Sequence, residues 1–320
     1  MNLKKILQYL LALIVIVAVG CFFYLEFNKN WDAIRAYHFT ANPYYIFMSL
    51  ILVAVGFLMV TFIWKICVNN YLQRKLSFCE SMALYNTSAM LKYIPGTIWT
   101  YTAQIALMSS KGISKAVLIY INMICFICVA FVSAIYVLYY YLFYLQMAPW
   151  EISILIFILL IALDFVFITW NTSIINYLII PINRIFKREI QPLKIKKLLV
   201  IYLQLIYFFS YVPAGIGMYF LAKGIGMEIP FSSILPIIAT LSVSLVLGYI
   251  AFFSPGGLGI REGTMFVMLT QFSNVETALI LPIAMRLIYI IIELLLGIIG
   301  ILVGMKYGYY HKQVKSRQKQ

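Results

Sequence analysis

The sequence predicts an all-α polytopic integral membrane protein, with about six full spans, two broken or re-entrant helical hairpins and eight or more membrane segments in all. Three observations predict it. Hydrophobic residues fill 64% and charged residues only 11% of the 320 positions, a balance that suits lipid rather than water. Apolar runs long enough to cross a bilayer recur along the whole chain and are separated by short basic connectors. Two Pro-Gly turns, Pro95-Gly96 and Pro255-Gly256, interrupt apolar sequence at membrane depth, where a broken backbone must be buried in protein or line a wet cavity. No stretch is polar and long enough for a separate soluble domain, so residues 1–320 read as a single transmembrane domain ending in a basic tail at 306–320.

Taken in order, Lys4 and Lys5 precede an apolar run at about 6–25, whose length suits an uncleaved first span better than a signal peptide. A polar loop carrying Glu26, Lys29, Asp32, Arg35 and His38 leads to a second span at about 43–68. Two short arms follow, about 81–94 and 97–110, broken at Tyr93-Ile-Pro-Gly96. At 1.5 Å per residue each arm reaches only ~21 Å, short of a ~30 Å hydrocarbon core, which argues for a re-entrant hairpin. Long spans are expected at about 116–145 and 150–170. The mixed segment 174–186, with Pro181, reads as lying along the interface. After the basic run Arg184–Lys197 come a span at about 198–222 and a second broken pair at about 232–253 and 260–272. The first arm of that pair is itself long enough to span. A last span runs about 277–305.

The net charge of +14 invites a nucleic-acid partner, but the placement of the charges excludes one. With the N-terminus inside, 18 of the 24 Lys and Arg residues fall on the cytoplasmic side. Lys29, Arg35 and Lys223 fall outside, and Lys92, Arg261 and Arg286 fall at membrane depth. That bias sets the orientation: a multi-pass protein of the cytoplasmic (inner) membrane with both termini cytoplasmic. Each half then reads span, span, broken hairpin, span, over about 1–148 and 149–305, and Pro95 and Pro255 stand 160 residues apart. The halves enter from opposite sides, the pattern of an inverted-topology repeat, in which matched interruptions point to a binding site near the midplane. Residue identity between the halves is slight, and chance likeness of apolar segments is the competing reading.

The chemistry concentrates in Phe253–Gly263, which reads FSPGGLGIREG. Gly256, Gly257 and Gly259 permit positive φ and close backbone approach just before a helix start at Ile260. Unpaired N–H groups and the helix dipole make such a start an anion site, to which Arg261 adds a full charge. The bland alternative is a tight turn whose Arg261 and Glu262 are pinned to neighbours. Lys92 and Tyr93 sit at the first turn. Arg286 and Glu293, seven residues apart, share one face of the last span, either as functional groups or as an inter-helix ion pair. Asp164 lies in the span at 150–170, near enough to its end to reach polar headgroups. Asp164, Glu262 and Glu293 are candidates for proton coupling or structural pairing. A charge at a helix centre costs ~2.5–3.5 kcal/mol, so this set must pair or line a polar cavity.

The tyrosines and Trp99 read as interface anchors and packing. The five cysteines, including the C-x-x-C of Cys125 and Cys128, read as apolar packing. No phosphate loop, His/Cys cluster or Ser-His-Asp set is present, so neither a cofactor, a metal nor a catalytic set is expected.

Two elements, N-x5-K-Y-I-P-G-x2-W (Asn86, Lys92, Tyr93, Pro95, Gly96, Trp99) and S-P-G-G-L-G-I-R-E (Ser254–Glu262), together resemble one family across nearly the whole chain. It is the flippase-like transmembrane region of lysylphosphatidylglycerol synthases, or multiple peptide resistance factors, with their stand-alone relatives. The resemblance implies lipid translocation, with Lys92, Arg261, Glu262 and Arg286 at matching places in a cavity. The aminoacyltransferase domain of the bifunctional members is not expected here, so their synthase activity is not carried over. The expected partners are an anionic lipid headgroup or a polyprenyl-linked saccharide and the surrounding membrane lipids. A homo-oligomer or a biosynthetic partner enzyme stays open. The alternative class is a membrane enzyme, or an accessory subunit of a lipid-linked glycan or phospholipid-modifying pathway, with Glu262 as a base.

Overall fold

Why the chain turns where it does is written in its caps. The computed structural model describes residues 40–72, 74–93, 98–109, 115–186, 194–251 and 254–307, with Tyr24, Asn28, Trp31 and Arg35 as isolated positions. The span expected at 6–25, the turn residues Pro95 and Gly96, and the tail beyond Tyr307 lie outside the described residues. Helix α1 (Pro43–Asn69) starts where Asn42 accepts the Tyr44 N–H and Pro43 presets the helical φ. Helix α2 (Phe78–Ala89) starts on a reciprocal cap, Ser77 to the Glu80 N–H and Glu80 back to the Ser77 N–H. It ends in a 3-10 turn at Met90–Tyr93, and α3 (Ile98–Ser109) runs back. At 12 residues each, the two arms span ~18 Å, as the sequence predicts for a hairpin too short to cross.

Helix α4 (Lys115–Leu138) widens into a π-helical turn at Tyr139–Tyr144. Helix α5 (Trp150–Phe186) departs from expectation. Residues 174–186 continue the helix instead of forming a separate interfacial segment, after a kink at Trp170 (φ −113°, ψ 20°). Two polar residues between the kink and this segment are hydrogen-bonded. Asn171 donates to the Ile168 carbonyl at 2.7 Å, and the Thr172 hydroxyl accepts the Ile195 N–H at 3.1 Å. Helices α6 (Lys197–Gly224), α7 (Ile234–Ile250), α8 (Ile260–Leu269) and α9 (Val275–Lys306) follow, the last capped by Asn274 on the Thr277 N–H.

This is an all-α polytopic membrane protein. Among the described residues no strand occurs, and six helical stretches are long and apolar enough to cross a bilayer. They are Pro43–Asn69, Val117–Tyr144, Trp150–Ile180, Lys197–Gly224, Phe231–Ile250 and Val275–Lys306, so the first arm of the second hairpin is among them.

The longest packing seam joins α1 to α6, where small residues let backbones approach: a Cβ added at Gly217 would stand 3.0 Å from the Val53 side chain. Around this seam α2 packs on α9 and α4 on α7, α1 on α2 and α6 on α7, α3 on α4 and α8 on α9. The turn Met90–Tyr93 of the first hairpin touches the turn Pro255–Gly257 of the second. One apolar core gathers Trp64, Leu84, Ile124 and Leu203, a second gathers Met218, Leu241, Met285 and Ile288.

Candidate functional site

The second hairpin turn is built on backbone that only glycine adopts without strain. Gly256, Gly257 and Gly259 have φ of 60°, 71° and 85°. The chain thereby reverses within a few residues, and α8 begins with Arg261 and Glu262 in its first turn. Glu262 folds back to accept the Gly259 N–H and stands 3.5 Å from Arg286 Nε. Arg286 Nη2 in turn donates to the Gly256 carbonyl at 3.1 Å. Carboxylate, guanidinium and turn carbonyl thus brace one another, which stabilises an irregular backbone at membrane depth.

Arg261 is left outside that brace. It is 3% exposed, its guanidinium lies 5.2 Å from the centre of the Tyr249 ring, and among the described residues no carboxylate lies within ion-pair distance of it. It reaches this position by crossing Gly248 of α7, where an added Cβ would stand 2.3 Å from Arg261 Nε. Gly257 also closes on the same place, since a Cβ there would come within 2.8 Å of the Gly248 Cα. From the other hairpin Lys92 reaches Glu293 on α9 and forms an ion pair with it.

These groups open into a cavity of about 250 Å³. Lys92, Gly256, Arg261 and Glu293 are on its wall, together with Asn86, Thr100, Gln104 and Asn122. Six tyrosines complete it: Tyr85, Tyr101, Tyr207, Tyr211, Tyr249 and Tyr289. Its accessible side is carried by Tyr101, Phe126 and Tyr249, each more than a third exposed. Asn122 Nδ2 donates to Gln104 Oε1 at 3.1 Å, and Thr61 donates to Asn86 Oδ1 at 3.0 Å. Four buried atoms of lining residues have no hydrogen-bond partner among the described residues: Arg261 Nε, Asn86 Nδ2, Thr100 Oγ1 and Tyr211 Oη. Buried polar groups are almost always satisfied, so four orphan atoms on residues that line one cavity stand out among the described residues.

Of the residues singled out in the sequence, Lys92, Gly256, Arg261 and Glu293 meet on this wall. Gly257 and Gly259 shape the turn. Glu262 and Arg286 are not wall residues; they hold the turn from behind. Arg286 and Glu293 do not pair with each other, because each has a partner on a different hairpin. The backbone of Tyr93 ends the first turn, and its side chain is outside the described residues. Asp164 is mid-helix on α5 rather than near an end. It accepts a hydrogen bond from Gln204 Nε2 at 2.6 Å and is not on the cavity wall.

Six tyrosines line the cavity, and Tyr207, Tyr211 and Tyr289 among them also pack in the apolar cores, as the sequence reading expected. Gly248 was missed. The signal was the recurrence of Asn86, Gln104 and Asn122 within apolar segments, neutral polar residues that a search for charges passes over. Cys125 lines the cavity as well, with its sulfur 3.6 Å from that of Cys67.

A family model described as the lysylphosphatidylglycerol synthase TM region matches residues 9–297. No curated protein matches the chain.

Proposed function

Because the chain belongs to the lysylphosphatidylglycerol synthase transmembrane-region family, we propose that it moves an anionic lipid between the leaflets of the membrane, with the headgroup passing through the cavity at Arg261. The observation that carries this reading is a buried guanidinium on a cavity wall with no carboxylate partner among the described residues. Moving a phosphate bare through hydrocarbon is prohibitive. A fixed cation and preset donors at midplane lower that barrier, since they replace water that the phosphate has shed. At about 250 Å³ the cavity is smaller than the ~300–1,000 Å³ of pockets that enclose a drug-sized ligand, so it suits a headgroup while the tails stay in the bilayer.

The packing pattern supports two inverted halves. If α1 corresponds to α6, α2 to α7, α3 to α8 and α4 to α9, the contact of α2 with α9 maps onto that of α7 with α4. The pairs α1–α2 and α6–α7, and α3–α4 and α8–α9, correspond likewise, and the two hairpin turns meet each other. A shared pivot of this kind is what alternating access between leaflets uses.

Glu262 is bonded to the Gly259 N–H and paired with Arg286, and Glu293 is paired with Lys92, which supports transport over a reading in which either carboxylate acts as a base. The matched family region is described as a transmembrane region, and it is the membrane-embedded cavity to which the function is assigned.

The test is reconstitution. Purified protein in vesicles containing a tail-labelled anionic phospholipid is probed with a membrane-impermeant reductant. Protein-dependent loss of the inner-leaflet protection is expected, with mass spectrometry finding the lipid unchanged. A new lipid product formed without any added enzyme would replace this reading with the enzymatic one.

A further inference from the structure

Two thiols from distant parts of the chain meet beside the cavity. Cys67 belongs to α1 and Cys125 to α4, both are free, and their sulfurs stand 3.6 Å apart. A disulfide is about 2.05 Å long, so closing the gap takes side-chain rotation and a small approach of two helices that already touch. The sulfurs differ in access. Cys125 is half-buried and lines the cavity, whereas Cys67 has no exposed surface and is off the wall. Both helices furnish wall, Gly56 and Phe57 from α1 and Asn122 and Phe126 from α4. A bond between the two cysteines therefore fixes the separation of two sides of the cavity.

We propose that Cys67 and Cys125 are a redox-responsive pair, which a hydroperoxide closes to a disulfide that clamps α1 to α4 and arrests the cavity. Cys125 reacts first, because it is the one of the two on the wall. Its sulfur takes the terminal oxygen of the hydroperoxide: an S–O bond forms, the O–O bond breaks, and an alcohol leaves, or water where the oxidant is hydrogen peroxide. The Cys67 sulfur then attacks the sulfenic acid: an S–S bond forms, the S–O bond breaks, and water leaves. The two thiols lose two electrons, the hydroperoxide gains them, and both thiol protons end in the departing alcohol and water. A resolving thiol 3.6 Å away favours the disulfide over further oxidation of Cys125. A dithiol reductant reverses the bond, so the pair follows the balance of oxidant and reductant. Formation of the bond is independent of what the cavity carries; only the arrest of transport rests on the lipid-translocation reading.

The experiment treats the purified full chain in detergent with hydrogen peroxide and maps its peptides without reduction. A Cys67–Cys125 link is expected, opened again by dithiothreitol. The cross-link joins positions 58 apart and so restricts the unfolded chain, and the oxidised protein should melt several degrees higher. In vesicles, oxidation should slow transport of a tail-labelled anionic phospholipid at least about tenfold, and dithiothreitol should restore it. Cys67→Ala, which leaves the wall untouched, should move lipid at the wild-type rate and show neither link nor slowing with peroxide; Cys67→Val serves if the smaller side chain weakens the fold. A link through Cys79 or Cys128, sulfinic acid at Cys125 without a link, or no reaction overturns the pair. A Cys67–Cys125 link with an unchanged melting temperature or unchanged transport overturns the clamp. If the reduced protein moves no lipid, the translocation reading fails, while mapping and the melting shift still decide the pair and its clamp.

Discussion

Replacing Lys92 by methionine leaves the Glu293 carboxylate buried without its cation. Breaking a buried pair from one side costs about 3–5 kcal/mol, so Lys92→Met should deplete the protein in membranes, and Lys92→Met with Glu293→Gln should restore its abundance. Western quantification of membrane fractions checks both. Arg261 should behave in the opposite way, because no carboxylate among the described residues depends on it. Gly248→Ala is a third probe at this scale. Its Cβ meets the Arg261 side chain at 2.3 Å, so the guanidinium must move while the backbone of α7 stays helical. Lipid-induced stabilisation should fall, with the lipid-free melting temperature little changed; an unaltered lipid response would show that Gly248 does not position Arg261. Lys92, Arg261, Glu262 and Arg286 were legible in the sequence because charge in an apolar run is conspicuous. Which charge meets which was not, since Lys92 and Glu293 are 201 positions apart and only the fold brings them together. Gly248 and the tyrosines carry no such mark, because apolar helices use both for ordinary packing.

The hairpins are the element on which the account turns. If the arms α2 and α3 enter and leave from one face, single cysteines at Lys75 and Lys111 should react with an impermeant maleimide from the same side of the membrane. Cysteines at Glu228 and Asn274 should react together from the other side. Reaction of either pair from opposite sides would make that hairpin a full crossing. The short arms of the first hairpin could be read from length alone, and the caps Asn42, Ser77 and Asn274 follow ordinary helix-start chemistry. Residues 174–186 read as a separate interfacial segment because polar positions and Pro181 interrupt the apolar pattern there. The Asn171 hydrogen bond to the Ile168 carbonyl and the Ile195 N–H bond to the Thr172 hydroxyl flank a kink through which helix α5 continues. Extension of that helix also moved Asp164 away from an end, to a place where Gln204 meets it.

For the whole molecule, the charge bias predicts an orientation that labelling can check directly. Cysteines at Gln191 and Glu228, in a background lacking the native cysteines, should react from opposite sides of intact cells, with only the second accessible from outside. Membrane class was plain from composition, and family membership from two short elements, because both are properties of sequence over long or distinctive stretches. The cavity was not plain, since its wall is assembled from residues on both hairpins and on α1, α4, α6 and α9. The central claim is that Arg261 serves the lipid rather than the fold. The direct measurement is tail-labelled anionic lipid transport in vesicles, beside melting temperature, for wild type, Arg261→Lys and Arg261→Gln. A hydrogen bond to a charged group contributes about 1.5–3 kcal/mol, so loss of the guanidinium should slow transport by about tenfold to a hundredfold. Arg261→Lys should retain part of the rate, keeping the charge but not the two-pronged geometry. All three proteins should melt alike. A folded Arg261→Gln protein that moves lipid at the wild-type rate would contradict the account.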